Sequence, residues 1–259
     1  MSPSRKTRNR APAQLAVQPC GRLPLEAVIA TAELEHRPAR APDFESESRE
    51  LVGLMRALRD ADANVLQKLA DTALRLCRAQ SAGVSIEEEE QGGRFFRWRG
   101  AAGRWASLRG GTMARDSSPC GAVLDRNAPV LMKYPQRHFP MPHEDTLPVT
   151  ETLLVPFMAN GVTVGTVWLA AHDESRRFDR EDLRLLTTLG ECASVAYQAL
   201  ERNSQMRVAL VKERGDFALL REISAALIRE NDIDSLYEQI LEAATSIMLC
   251  DCASLQIFR

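Results

Sequence analysis

The stretch Asp116-Ser117-Ser118-Pro119-Cys120-Gly121 sets a thiol behind a proline and ahead of a glycine, where a helix begins. Three chemistries are open to a cysteine there: nucleophilic attack, covalent attachment of a cofactor, or redox sensing, because a positive helix end favours the thiolate. Asp116, Ser117 and Ser118 have oxygens to offer a ligand beside the free N–H groups of that helix; N-capping by Asp116 or Ser117 explains them equally well. Trp98 and Trp168 fall on predicted strands and line a pocket with His172 if those strands share a face, whereas an aromatic on a central strand is otherwise core. His138 and His143, with Glu144 or Asp145, carry metal-binding atoms in a proline-rich loop. No helix or strand fixes a third ligand there, so a solvated loop and no metal are expected. The candidate ligand site is therefore Trp98, Asp116, Ser118, Cys120, Trp168 and His172.

Bulk properties narrow what such a site serves. The 259 residues, 45% hydrophobic, can bury a sizeable core. With 33 Lys and Arg against 35 Asp and Glu the net charge is -2, so no global field draws in nucleic acid or an anionic membrane. No run approaches the roughly 18 apolar residues of a membrane span, and the basic start lacks the apolar core of a signal peptide, so a cytoplasmic protein is expected. The six cysteines, Cys20, Cys77, Cys120, Cys192, Cys250 and Cys252, show no pairs at metal-ligand spacing and are expected as reduced thiols. No Ser/His/Asp arrangement, phosphate-cradling glycine loop, or kinase or cyclase signature is present, which favours a regulatory module over an enzyme.

The elements that must position these residues follow from apolar spacing. Residues 1–45, rich in Arg, Pro and Ala, are expected to be a flexible segment with a short helix inside it. Helical spacing runs through Leu51, Leu54, Met55 and Leu58, then through Val65, Leu66, Leu69, Leu74 and Cys77. "SAGVSIEEEEQGGRFFRWRG" reads as a hairpin with Glu87 to Glu90 at a solvated tip; the segment from Asp116 to Arg126 reads as a helix and "APVLM" as a strand. "KYPQRHFPMPHEDTLPVTE" is expected to be an irregular surface loop. "ETLLVPFMA" and "VTVGTVWLAA" form a second hairpin around Asn160-Gly161, the dipeptide of tight primed turns. A long helix capped by Asp179 carries Leu183, Leu186, Gly190, Ala193, Tyr197 and Leu200 on one stripe and continues to about Arg229. The segment Asn64 to Ile86 also lies without gaps on Ser235 to Ile257, so a second copy of the opening helix and strand begins before the chain stops. A lone helix and strand cannot make a core, and the sequence is expected to be a fragment or to have a tail that borrows partners.

This order of elements, with "LLVPFMANGVTVGTVWLAA" at its centre and Phe178, Asp182 and Leu183 stepping into the last helix, resembles the GAF domain. The resemblance covers roughly residues 46–200, with a helical linker at 201–230 and the start of a second GAF domain at 231–259. It implies an α+β fold: an antiparallel sheet of five or six strands flanked by helices, with a small ligand between the sheet and the loops of one face. It also implies a sensory input of the tandem-GAF kind found in sensor histidine kinases, dimeric through the long helix, whose output lies outside these residues. In bilin-binding members the anchoring cysteine precedes histidine or sits in Asp-x-Cys-Phe; Gly121 follows Cys120 here, so no bilin and no other cofactor is assigned. In methionine-sulfoxide-reducing members a second cysteine in the later loop attacks, and Lys133 to Glu151 contains none. A buried, structural Cys120 is favoured, with a thiol enzyme acting through Cys120 and a purely structural dimerisation domain as alternatives.

Overall fold

Asn160 and Gly161 both take positive φ, 52° and 80°, and close the tight turn between β5 (Glu151–Ala159) and β6 (Val162–Ala171). A type I′ turn needs left-handed backbone at both central residues, which is why Asn-Gly serves here. In this computed structural model the described residues are 22–60, 62–90, 92–140 and 147–229, with positions 237, 238, 240–242, 244, 245, 252, 254 and 256 beyond them. Most of the expected second-copy segment, together with His143, Glu144, Asp145 and residues 1–21, lies outside them.

Six strands form one sheet in the order β3-β2-β1-β6-β5-β4, every neighbouring pair antiparallel. The remaining strands are β1 (Ser81–Glu90), β2 (Gly93–Gly103), β3 (Thr112–Ala114) and β4 (Val130–Lys133). Alternation along β5 and β6 sends Leu153, Val155, Val167 and Leu169 to one face and Leu154 and Trp168 to the other. The first face buries the apolar stripes of α1 (Phe44–Arg59), α2 (Val65–Leu76) and the start of α4 (Arg180–Arg229). On the second face sits a smaller core beneath α3 (Pro119–Arg126), built around Phe96, Trp98, Val123, Met132, Phe139 and Trp168.

The N-terminus of α4 is a reciprocal cap. Asp179 Oδ1 accepts from the Glu181 and Asp182 N–H groups at 2.8 and 3.0 Å, and Asp182 Oδ2 accepts from the Asp179 N–H at 2.9 Å. From there α4 runs unbroken for 50 residues, so no boundary in the helix separates the domain from the expected linker.

Two expectations are corrected. Within the segment expected to be flexible through residue 45, residues 22–43 lie along the domain as a strap. Ile29 bridges Met132, while the Ala30 N–H donates to Leu131 O at 2.8 Å and the Lys133 N–H to Val28 O at 2.8 Å, extending the β4 edge. Val28 and Leu34 are buried, and Arg37 grips both oxygens of buried Glu151, which an apolar count over the whole segment does not foresee. Of the acidic run, only Glu89 and Glu90 are exposed at the hairpin end as expected. Glu87 and Glu88 are half-buried and pair across the hairpin and beyond it, Glu87 with Arg115 at 2.6 Å and Glu88 with Arg97 at 2.8 Å.

Candidate functional site

On the face away from α1 and α2 the structure forms a partly open cavity of about 70 Å³. The chain's three tryptophans, Trp98, Trp105 and Trp168, all line it, together with Cys120, Phe139 and Leu154 among others. Strand register explains the convergence: Trp98 on β2 and Trp168 on central β6 face the same side, and Trp105 lies just past the end of β2. The Trp168 ring can lie flat against β1 only because Gly83 has no side chain, since a Cβ there would run into the indole. Trp105 then meets Trp168 edge-on, ring centres 5.7 Å apart.

Most polar groups of this wall already have partners within the protein. Ser118 is the N-cap of α3, its hydroxyl accepting from the Cys120 N–H at 3.2 Å, with Pro119 in the first turn. The Thr152 hydroxyl donates to Leu169 O at 2.7 Å, and Trp168 Nε1–H donates to Ser85 Oγ at 2.9 Å. Cys120 is buried, and the Thr166 hydroxyl donates to its sulfur at 3.1 Å. Burial pushes the Cys120 thiol above its ordinary value, and the hydrogen bonds from Thr166, Ser118 and Ser85 offset this only in part. The N–H at the helix end also lowers this thiol, but burial outweighs it, contrary to one reading of its position. A protonated, buried thiol is a poor nucleophile.

Two buried polar atoms in the wall have no hydrogen-bond partner among the described residues: Trp105 Nε1 and Gln136 Oε1. Behind the wall, His172 holds Trp105 through a short relay. The Trp105 N–H donates to Ser81 Oγ at 3.2 Å, and Ser81 Oγ lies 2.8 Å from His172 Nε2. His172 Nδ1 lies 2.9 Å from Pro148 O, so it carries the proton and Nε2 accepts from the Ser81 hydroxyl. Burial pushes His172 below the ordinary imidazole value, which keeps that tautomer neutral.

Of the residues expected at the site, Trp98, Ser118, Cys120 and Trp168 come together around the cavity. Asp116 does not; its side chain is 95% exposed beside Arg115 in the turn before α3, and the cap falls to Ser118. His172 stands one residue back, its ring 5.1 Å from that of Trp105. Sequence reasoning missed Trp105, Gln136 and Phe139. Trp105 follows a predicted strand with no periodic pattern, and the loop of Gln136 and Phe139, expected on the surface, is a wall of the cavity with Phe139 only 6% exposed. No group of three or more metal-ligating side chains occurs among the described residues. His138 is turned instead to Leu23 O at 2.7 Å.

An antiparallel six-strand sheet with α1, α2 and α4 on one face, and α3 and a loop-walled cavity on the other, defines an α+β domain with a pocket on one side. The family model described as GAF domain matches residues 63–198, more than half of the sequence, and the chain belongs to that family. The fold is shared with a GAF domain from a phosphoenolpyruvate-protein phosphotransferase of Coxiella burnetii, at 15% identity and a TM-score of 0.52, over 62% of this chain and 99% of that one. The photosensory core module of the Stigmatella aurantiaca phytochrome is similar at 15% identity and a TM-score of 0.53, over 82% of this chain and 47% of that one. Free methionine-R-sulfoxide reductase from Neisseria meningitidis, in complex with its substrate, is similar at 14% identity and a TM-score of 0.50, over 65% and 99%. At these identities the likeness shows the fold alone. None of the curated proteins compared matches the chain. GAF domains serve as sensory and signalling modules in many proteins.

Proposed function

We propose that this chain is the sensory input of a signalling protein: a small molecule occupies the tryptophan-lined cavity, and α4 carries the change to an output module. The observation that carries this reading is the strap, which holds the cavity wall at one end and the root of α4 at the other. The Leu23 N–H donates to Arg137 O at 3.0 Å, next to Gln136, and further along Arg40 reaches Asp182, in the first turn of α4, at 2.9 Å. A ligand that shifts the wall therefore acts on the same segment that grips the helix. Binding must favour one of two helix arrangements, and a coupling of about 1–3 kcal/mol is typical of such devices.

The wider setting proposed is a cytoplasmic homodimer of the tandem-GAF, sensor-kinase type. Supporting the dimer, Val195, Met206, Leu210 and Phe217 are all exposed on α4 and, at 100° per residue, fall within about 60° of arc. No helix among the described residues is long and apolar enough to cross a membrane. Against the thiol-enzyme alternative stand the buried, protonated Cys120 and the lack of a second cysteine between Lys133 and Glu151. One experiment addresses both readings: the full chain is screened by thermal melting against small molecules and assayed for turnover of free methionine sulfoxide. A sensory domain gains stability from its ligand by mass action and shows no turnover. Turnover that Cys120→Ser abolishes would refute the proposal.

A further inference from the structure

We infer that the strap is exchanged between two copies of this chain, each domain taking residues 22–43 from its partner. This rests on the homodimer reading above and adds to it a contact separate from the seam on α4. The groove beneath the strap has the chemistry of a receptor for paired arginines. Three buried carboxylates line it: Glu151 at the start of β5, and Asp179 and Asp182 at the root of α4. Arg37 answers Glu151 with two hydrogen bonds and gives a third to Phe178 O. Arg40 answers Asp182 at 2.9 Å, Asp179 through its backbone N–H at 3.1 Å, and Leu76 O at 2.9 Å. Among the described residues, Arg176 is the one guanidinium of the domain itself bonded to these carboxylates. Without the strap, buried negative charge exceeds positive, and a buried charge lacking its partner is costly. The groove therefore calls for two guanidiniums three residues apart, the spacing of Arg37-Pro38-Ala39-Arg40.

The strap itself is lightly held elsewhere. Only Val28 and Leu34 of its residues are buried, and most of the others are exposed. Ordering residues 22–43 against so little apolar burial makes the strap a unit that opens well below global unfolding. An open strap leaves Glu151 and Asp182 buried and unanswered, so the vacated groove retakes an equivalent segment. The strap of a second copy is the one occupant whose fit the structure displays, and exchange alters no contact, only which chain supplies it. Residues 41–43 form a short irregular hinge between Arg40 and α1, with Pro42 holding Ala41 out of helical backbone, and short hinges are where such exchange arises. Pairing along α4 keeps the second strap at high effective concentration, so the exchanged form competes with the closed one.

The test mixes two full-length variants, Arg37→Glu and Glu151→Arg, each of which sets like charges together when its own strap lies in its own groove. Each alone is expected to melt below the unmodified chain. Exchange within a mixed dimer puts the unaltered strap in the unaltered groove and the reversed strap in the reversed groove, so an equimolar mixture is expected to regain most of the lost melting temperature. A mixture that melts as the sum of its components overturns the inference. Where a variant fails to fold, a fluorescent peptide of residues 22–43 titrated into the unmodified chain decides the matter. Saturable binding is expected, about tenfold weaker or more for the peptide carrying Arg37→Ala and Arg40→Ala, because both buried ion pairs are then lost. No binding, or equal binding of the two peptides, overturns exchange. Sedimentation of the unmodified chain separates this outcome from the reading beneath it: a dimer whose straps do not exchange leaves the α4 seam standing, whereas a monomer removes both.

Discussion

At the scale of single residues, His172 shows how a buried titratable group can hold a cavity wall from behind without lining the cavity. Its neutral form holds Ser81, which holds Trp105. Charged neighbours act in opposite directions, Arg104 lowering and Asp173 raising the imidazole, but desolvation is the largest influence and lowers it. The unfolded chain therefore binds a proton near the ordinary imidazole value of about 6.5, while the folded chain resists it. Stability is complete above that pH and is lost as pH falls through about 6.5, well before carboxylates of ordinary pKa near 4 begin to protonate. The midpoint of urea unfolding is expected to drop between pH 7.5 and 5.5 and to lose most of that slope in His172→Gln; an unchanged slope in the variant removes His172 as the cause. His172 was readable as a polar residue just after a predicted strand, which placed it near the site. Its second position, behind Trp105, depends on where Pro148 and Ser81 arrive from distant parts of the chain.

Elements show a different division. The strap at residues 22–43 has no strong periodicity, and its few anchors, Val28, Leu34, Arg37 and Arg40, are too sparse to register in a window of sequence. Its hold is specific rather than extensive. Arg37 makes two hydrogen bonds to Glu151, at 2.9 and 2.7 Å, and one to Phe178 O at 2.7 Å, between side chains only 13% and 5% exposed. Removing one partner of a buried pair leaves the other charge unanswered. Arg37→Ala is expected to cost about 3 kcal/mol in denaturant unfolding, and Arg37→Lys to recover little of it because an ammonium cannot match both carboxylate oxygens. A loss below about 0.5 kcal/mol, the scale of an ordinary surface substitution, would show the strap to be merely laid on the surface. The hairpins and α4, by contrast, could be read directly, because Asn160-Gly161 and the Asp179 to Asp182 cap carry their geometry in adjacent residues.

The molecule as a whole joins a pocket-bearing domain to a helix that outruns it. Beyond residue 200, Met206, Leu210 and Phe217 are each at least half exposed on that helix, and apolar side chains so placed gain by burial in a second copy. Sedimentation of the full chain is expected to give a dimer, and truncation after Leu200 a monomer; a truncated protein that stays dimeric moves the interface to the domain itself. Local chemistry, repeated at short range, was enough for the family, the two hairpins, the long helix and the four cavity residues Trp98, Ser118, Cys120 and Trp168. Those features live in periodicity, turn dipeptides and caps, where neighbours in sequence are neighbours in space. The cavity's remaining wall, the strap, the raised Cys120 and the unanswered atoms of Trp105 and Gln136 arose only once β6 lay between β1 and β5 and the loop after β4 folded over the sheet. Burial and partnership are set by residues far apart in the chain, and no local pattern encodes which of them will meet.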